Sequence, residues 1–156
     1  ACLKLSPAGE CSDSCLKLSS VRDCLLPTRP YGSIGYWDVS QVTKMDGIFS
    51  DATYFNQDLS KWKVAQVVDM SFMFHQASAF NQDLSKWNVG QVVDMYTMFK
   101  GATSFKQVLC REAWVNSKAK KGLMFTDSHG SIANQSSFQP KKKDDLAAAV
   151  DLCRDQ

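Results

Sequence analysis

From residue 30 onward the apolar positions of this chain recur at a fixed interval, so that position 30 is matched by 55, and 55 by 80. Residues 55–79 read FNQDLSKWKVAQVVDMSFMFHQASA, and residues 80–104 read FNQDLSKWNVGQVVDMYTMFKGATS. A fainter copy, PYGSIGYWDVSQVTKMDGIFSDATY, fills 30–54. Columns run through all three: Ile34/Leu59/Leu84, Trp37/Trp62/Trp87, Val39/Val64/Val89, Val42/Val67/Val92, Met45/Met70/Met95, Phe49/Phe74/Phe99 and Ala52/Ala77/Ala102. Phe105 and Leu109 open another turn that then loses register. Met124-Phe125 follows Met98-Phe99 one position later than the interval requires, and Trp114 echoes the tryptophan column. Residues 110–133 are therefore expected to form a degenerate, capping fourth repeat. Self-similarity of this kind marks architectures in which a unit buries its apolar face only against its neighbours.

Each repeat changes its hydrophobic period halfway along. Val67, Met70, Met73, Phe74 and Ala77 fall on one face of a short helix. In the first copy that helix would start after Ser40, a good N-cap residue. Ser60-Lys61-Trp62-Lys63-Val64 alternates instead and predicts a short strand with Trp62 and Val64 on one side. The expected fold class is α/β: a right-handed, leucine-rich-repeat-like solenoid of short strands and short helices, about four coils long, with disulfide-braced caps. Burying a Phe, Met or Leu side chain is worth roughly 1.5–3 kcal/mol, so the Phe, Met and Trp columns are expected to hold the coils together. The tryptophans could instead form an aromatic platform for sugars, but one per coil beside Leu and Val columns favours core stacking. The methionines fill the core on the same logic. Asn56/Asn81 and Asp58/Asp83 could bind cations. They fall at bends, where such side chains usually hold backbone turns, and Ser33 and Lys106 break the columns.

The strings WDVSQVTKM, IFSDATYFNQDLSKW and WNVGQVVDMYTMF resemble the BspA-like leucine-rich-repeat surface proteins over residues 31–109. Their pattern is W-D/N-V-x-x-V-x-x-M-x-x-M-F-x-x-A-x-x-F-N-x-D-L/I-S-x-W. LCREAWVNSKAKKGLMFTDSHGSI (109–132) looks like the closing segment of such units in microalgal and related eukaryotic members. KDDLAAAVDLC (143–153) looks like the helix opening the next unit of a tandem array. The resemblance implies a secreted or surface-attached protein, often one engaged in adhesion or protein binding. The departures are Gly47-Ile48 in place of x-Met, Lys106 in place of Asn, and an enlarged cysteine-rich start.

With 156 residues, 44% hydrophobic and 11% aromatic, the chain has enough material for one packed domain. Four segments are expected: a cysteine-rich cap (1–29), three repeats plus the start of the next (30–109), the capping repeat (110–133), and a polar linker with a C-terminal helix (134–156). Starting at Ala1 rather than Met, the chain reads as a processed form or a fragment. No run of about 18 apolar residues occurs, so membrane insertion by a helix is not expected. A formal charge of +2 is too mild to make nucleic acid the default partner.

The six cysteines are Cys2, Cys11, Cys15, Cys24, Cys110 and Cys153. CLKLSPAGEC and CLKLSSVRDC form a small duplication of their own. There is no C-x-x-C, and His75 and His129 are the only histidines, so no metal site is expected. Disulfides fit better and imply an extracellular or cell-surface location, or another oxidising lumen. One arrangement among many is Cys2–Cys11, Cys15–Cys24 and Cys110–Cys153. Closing a loop of about 15 residues contributes roughly 3 kcal/mol on the chain-entropy account, enough to brace short caps. Asn134-Gln135-Ser136 is a candidate glycosylation triplet in a polar stretch.

No catalytic or cofactor-binding motif is present, and no enzyme activity or cofactor is expected. A Cys110/His129 nucleophile pair lacks any local signature, and a disulfide explains Cys110 better. The basic residues Arg111, Lys118, Lys120, Lys121 and Lys141 to Lys143 usually mean a solvated face, with an acidic partner or anionic polysaccharide as the sharper possibility. Two function classes remain. One is a recognition or adhesion module binding protein or polysaccharide through an exposed face. The other is a structural subunit docked permanently in a larger assembly or tandem array. The variable positions between the core columns mark the candidate interaction face: Asp46, Ser50, Ser71, Phe72, His75, Tyr96, Thr97 and Lys100. Exposed Phe72 and Tyr96 would suit an interface.

Overall fold

A computed structural model describes residues 33–133 of the chain. The expected cap at 1–29, the linker and helix at 134–156, five cysteines (Cys2, Cys11, Cys15, Cys24, Cys153) and Asn134 lie outside the described residues. Cys110 is disulfide-bonded.

The interval seen in the sequence is the spacing of backbone hydrogen bonds between successive turns of the chain. The amides of Met45, Gly47, Phe49 and Asp51 donate to the carbonyls of Asp69, Ser71, Met73 and His75. Met70, Phe72, Phe74 and Gln76 donate in the same way to Asp94, Tyr96, Met98 and Lys100. Met95, Thr97, Phe99 and Gly101 donate to Lys120, Gly122, Met124 and Thr126. Parallel bridges join Lys44 to Asp69, Asp69 to Asp94, and Asp94 to Lys120. The chain from 44 to 126 is thus stacked as four coils, and the last step is one residue longer than the others, as the position of Met124-Phe125 anticipates.

Inside each coil the elements differ from those the periodicity predicts. No part of 67–77 is helical: Asp69 forms parallel bridges, and residues 70–77 form consecutive tight turns. Alternate residues face different partners: the amides of Met73, His75 and Ala77 close turns onto Met70, Phe72 and Phe74, while the residues between them donate to the next coil. An α-helix would use these amides internally and leave no backbone donors to join one coil to the next. Residues 60–64 are not a strand either, because their backbone makes only local bonds such as Trp62 N–H to the Leu59 carbonyl. The expected burial nevertheless holds. Val67, Met70, Met73, Phe74 and Ala77 are all buried, as are Trp62 and Val64, while Lys61 and Lys63 are exposed. Among the described residues, the regular elements are a 3-10 turn at Ile34–Tyr36, a helix α1 (Glu112–Val115), and the strands β1 (Val108–Leu109) and β2 (Ser131–Ile132). The two strands pair in parallel, Val108 with Ser131 and Leu109 with Ile132.

Aromatic ladders fill the core. Phe49, Phe74, Phe99 and Phe125 stack at 5.3, 5.5 and 5.6 Å between ring centres. A second ladder, Phe55, Phe80 and Phe105, packs against the first inside each coil at 4.1, 3.9 and 4.1 Å. Such stacked pairs are worth about 0.5–1.5 kcal/mol beyond the area they bury. Trp37 is half-buried against the core, and the other three tryptophans are core residues, not a platform: Trp62, Trp87 and Trp114 are buried. Each indole N–H donates to a carbonyl one coil back: Ile34 at 2.8 Å, Leu59 at 3.0 Å and Leu84 at 3.0 Å.

Polar ladders close the bends. Asn56 Oδ1 accepts the Asn81 amide at 2.9 Å, and Asn81 Oδ1 accepts the Lys106 amide at 3.0 Å. Gln82 and Gln107 donate to the same asparagines. Lys106 has no acceptor to offer and ends the ladder. Asp38, Asp58, Asp69, Asp83 and Asp94 each accept the amide two residues on.

Candidate interaction face

The turns that route amides between coils need left-handed backbone at two positions per coil. The first column is Gly47, Phe72, Thr97 and Leu123, with φ of 61°, 57°, 52° and 55°. The second is Asp51, Gln76, Gly101 and Asp127, with φ of 61°, 57°, 72° and 57°. Glycine takes this region freely, whereas an L-residue with a side chain pays about 1–2 kcal/mol for it. Gly101 has a further reason to lack a side chain, since a Cβ there would lie 2.6 Å from the Gln76 carboxamide.

This geometry sorts the residues expected on the face. Phe72 and Tyr96 are exposed, at 42% and 41%, and meet edge to face at 5.7 Å. His75 packs edge-on against Phe72 at 5.8 Å. Asp46, Ser50, Ser71, His75 and Lys100 are half-buried. The Ser71 hydroxyl donates to Asp69, and that of Ser50 to Asp51, so both serve the turn framework. Thr97 does not belong to the accessible face. It is buried at 3% exposure, and its hydroxyl has no hydrogen-bond partner. Phe72 fills the same column one coil earlier and is exposed, whereas in this coil the exposed ring is that of Tyr96, one position before.

Leu123 belongs to the same left-handed column and is 52% exposed. The extra residue in the last step hides it from a comparison at constant interval; counting from Met98-Phe99 to Met124-Phe125 would have found it. The Tyr96 ring lies over Gly122, where a Cβ would come within 3.1 Å of it. Phe72, Tyr96 and Leu123 therefore present one large apolar side chain per coil across the second, third and fourth coils. Val68 and Val93, on adjacent coils, are exposed as well.

Charge is distributed unevenly around the stack. Near the first coils it is balanced. Hydrogen bonds from the Ser60 amide and hydroxyl, and then the nearby Lys61 and Lys86, hold the Asp58 carboxyl below its ordinary range. The Ser40 amide and hydroxyl do the same for Asp38, helped by Lys63. Lys61 also rests its ammonium 4.1 Å from the centre of the Tyr36 ring. On the fourth coil Lys118 and Lys120 are exposed. Lys121 is partly desolvated, which lowers its pKa, and the nearby positive Lys118 lowers it further. Its ammonium donates to the carbonyls of Ser117 and Ala119 at 2.6 and 3.3 Å.

Among the described residues, no group of three His, Cys, Asp or Glu side chains could hold a metal ion. Cys110, being disulfide-bonded, offers His129 no thiolate. No described helix is long and apolar enough to cross a membrane.

No curated protein and no solved structure matches the chain. A family model does, over residues 26–138, which takes in all four coils and both strands, β1 and β2. The chain belongs to the family described as Mycoplasma protein of unknown function, DUF285.

Proposed function

We propose that the chain is a BspA-like, leucine-rich-repeat-type solenoid module, secreted or held at the cell surface, that binds a macromolecular partner without catalysing a reaction. One observation carries this reading: Phe72 and Leu123 occupy left-handed backbone positions yet leave about half of their surface in solvent. The same column accepts glycine at Gly47, so folding does not require a large side chain there. A bulky residue that strains the backbone and recovers little burial is explained by what it meets outside the chain. The disulfide at Cys110 supports an oxidising compartment.

The test compares the chain with a Phe72→Gly/Tyr96→Ser/Leu123→Gly variant on arrays of extracellular proteins and glycans. The reading expects binding that the triple variant loses while its near-ultraviolet circular dichroism stays unchanged. Identical binding by both proteins would refute it. A chain recovered only within a larger complex, and never as a monomer on size exclusion, would favour a permanently docked structural subunit.

A further inference from the structure

Resting on that reading, the structure points to a narrower class of partner: we infer that the strip takes a peptide segment of another protein in which apolar side chains are followed by acidic ones, the acidic end lying over the fourth coil. The apolar part of the argument is the strip itself. Leu123 is aliphatic and half-exposed, which suits an apolar side chain and offers no flat ring on which a sugar or base could stack. Phe72, Tyr96 and Leu123 rise one coil at a time, and the Phe72 and Tyr96 ring centres lie 5.7 Å apart, close to the pitch of about 5.4 Å at which one face of a helical peptide repeats.

The charged part is contiguous with it. The Lys120 amide donates to the Val93 carbonyl at 3.0 Å, and Gly122 lies directly under Tyr96, so the lysine turn and the aromatic strip share one edge. Lys118 and Lys120 are exposed there; Asp94 lies beside Lys120 across the bridge and accepts the Tyr96 amide, and no described carboxylate is in ion-pair contact with either lysine. Lys121, bound to two carbonyls, fixes the turn and holds its positive charge against Lys118. A carboxylate arriving at this edge would relieve that repulsion. The first coil carries Asp46 and Asp51 with Lys44, whereas the fourth carries Lys118, Lys120 and Lys121 with Asp127, and this difference in net charge sets the polarity of the bound segment.

The test selects a phage-displayed library of random short peptides on the whole chain, with heparin and phosphatidylserine vesicles as competitors. Selected sequences should combine Leu, Ile or Phe with Asp or Glu. Lys118→Glu/Lys120→Glu should weaken them about tenfold or more and flatten their salt dependence. Phe72→Gly/Leu123→Gly should weaken them by a similar factor and leave the salt dependence in place. Selected peptides without acidic residues, or unaffected by the lysine reversal, would overturn this inference; if they still needed Phe72 and Leu123, the recognition reading would stand. Complete displacement by heparin or by vesicles would assign the lysines to a polysaccharide or a lipid surface instead. Binding that neither pair of substitutions changes would remove both readings.

Discussion

The indole N–H of Trp87 donates to the carbonyl of Leu59, one coil back, at 3.0 Å. The bond is fully buried, and its equivalents at Trp62 and Trp114 run in the same direction along the stack. Tryptophan therefore does two things: its ring fills the core, and its N–H adds a second hydrogen bond to a carbonyl that already closes a turn in the coil before.

Trp87→Phe keeps much of the apolar volume and removes one of the two N–H groups on the Leu59 carbonyl, which the Trp62 amide still reaches. It should cost about 0.5–1.5 kcal/mol, the net contribution of one hydrogen bond. Trp87→Ala should cost about 3–5 kcal/mol by adding a cavity. Urea unfolding followed by circular dichroism measures both. A Trp87→Phe variant as stable as the parent would mean that the hydrogen bond contributes nothing.

Leu123→Gly and Phe72→Gly relieve left-handed strain at exposed positions. Each should leave stability unchanged or raise it by about 1 kcal/mol. Phe74→Ala, two residues from Phe72 and fully buried, should lower it by about 3–5 kcal/mol. Thermal unfolding of the three variants tests the contrast. A loss above about 2 kcal/mol in either glycine variant would show that the exposed side chain matters to folding itself.

Asn81 accepts from the Lys106 amide and the Gln107 carboxamide, and its own amide is held by Asn56. Asn81→Ala removes an acceptor from two donors and should cost about 1–2 kcal/mol. Lys106→Ala sits at the end of the ladder and should stay within about 0.5 kcal/mol of the parent. Hydrogen exchange at the Lys106 amide should accelerate in Asn81→Ala. An unchanged rate there would argue against the ladder.

Asp58 has a lowered folded-state pKa, with Ser60 as the leading cause. The stability linked to it is therefore fully present above the ordinary carboxylate value of 3.8 and is lost as pH falls through the lower, folded value. Ser60→Ala removes the hydroxyl and keeps the backbone donor, so the Asp58 pKa should rise part of the way toward normal. A carboxyl-detected NMR titration reads this directly. No movement would assign the depression to the backbone amide and the lysines.

The sequence by itself determined the repeat interval, the single-position slip at the last coil, and nearly the whole inventory of buried side chains. Those features depend on which residues dislike water, and that is written in their chemistry. It also marked Phe72 and Tyr96 as the residues of the face that reach solvent. Only the tertiary structure decided how the backbone runs between the core columns. A buried residue every three or four positions fits a helix, and it fits equally well a series of tight turns whose alternate amides point to the next coil. The two differ in where the hydrogen bonds go, and those partners lie a full repeat away along the chain. The same routing places left-handed backbone beneath Phe72, Thr97 and Leu123. Within that one column Thr97 is buried while Phe72 and Leu123 are exposed, so solvent contact is decided by what packs around each side chain in the stack and not by the local hydrophobic pattern or the backbone conformation alone.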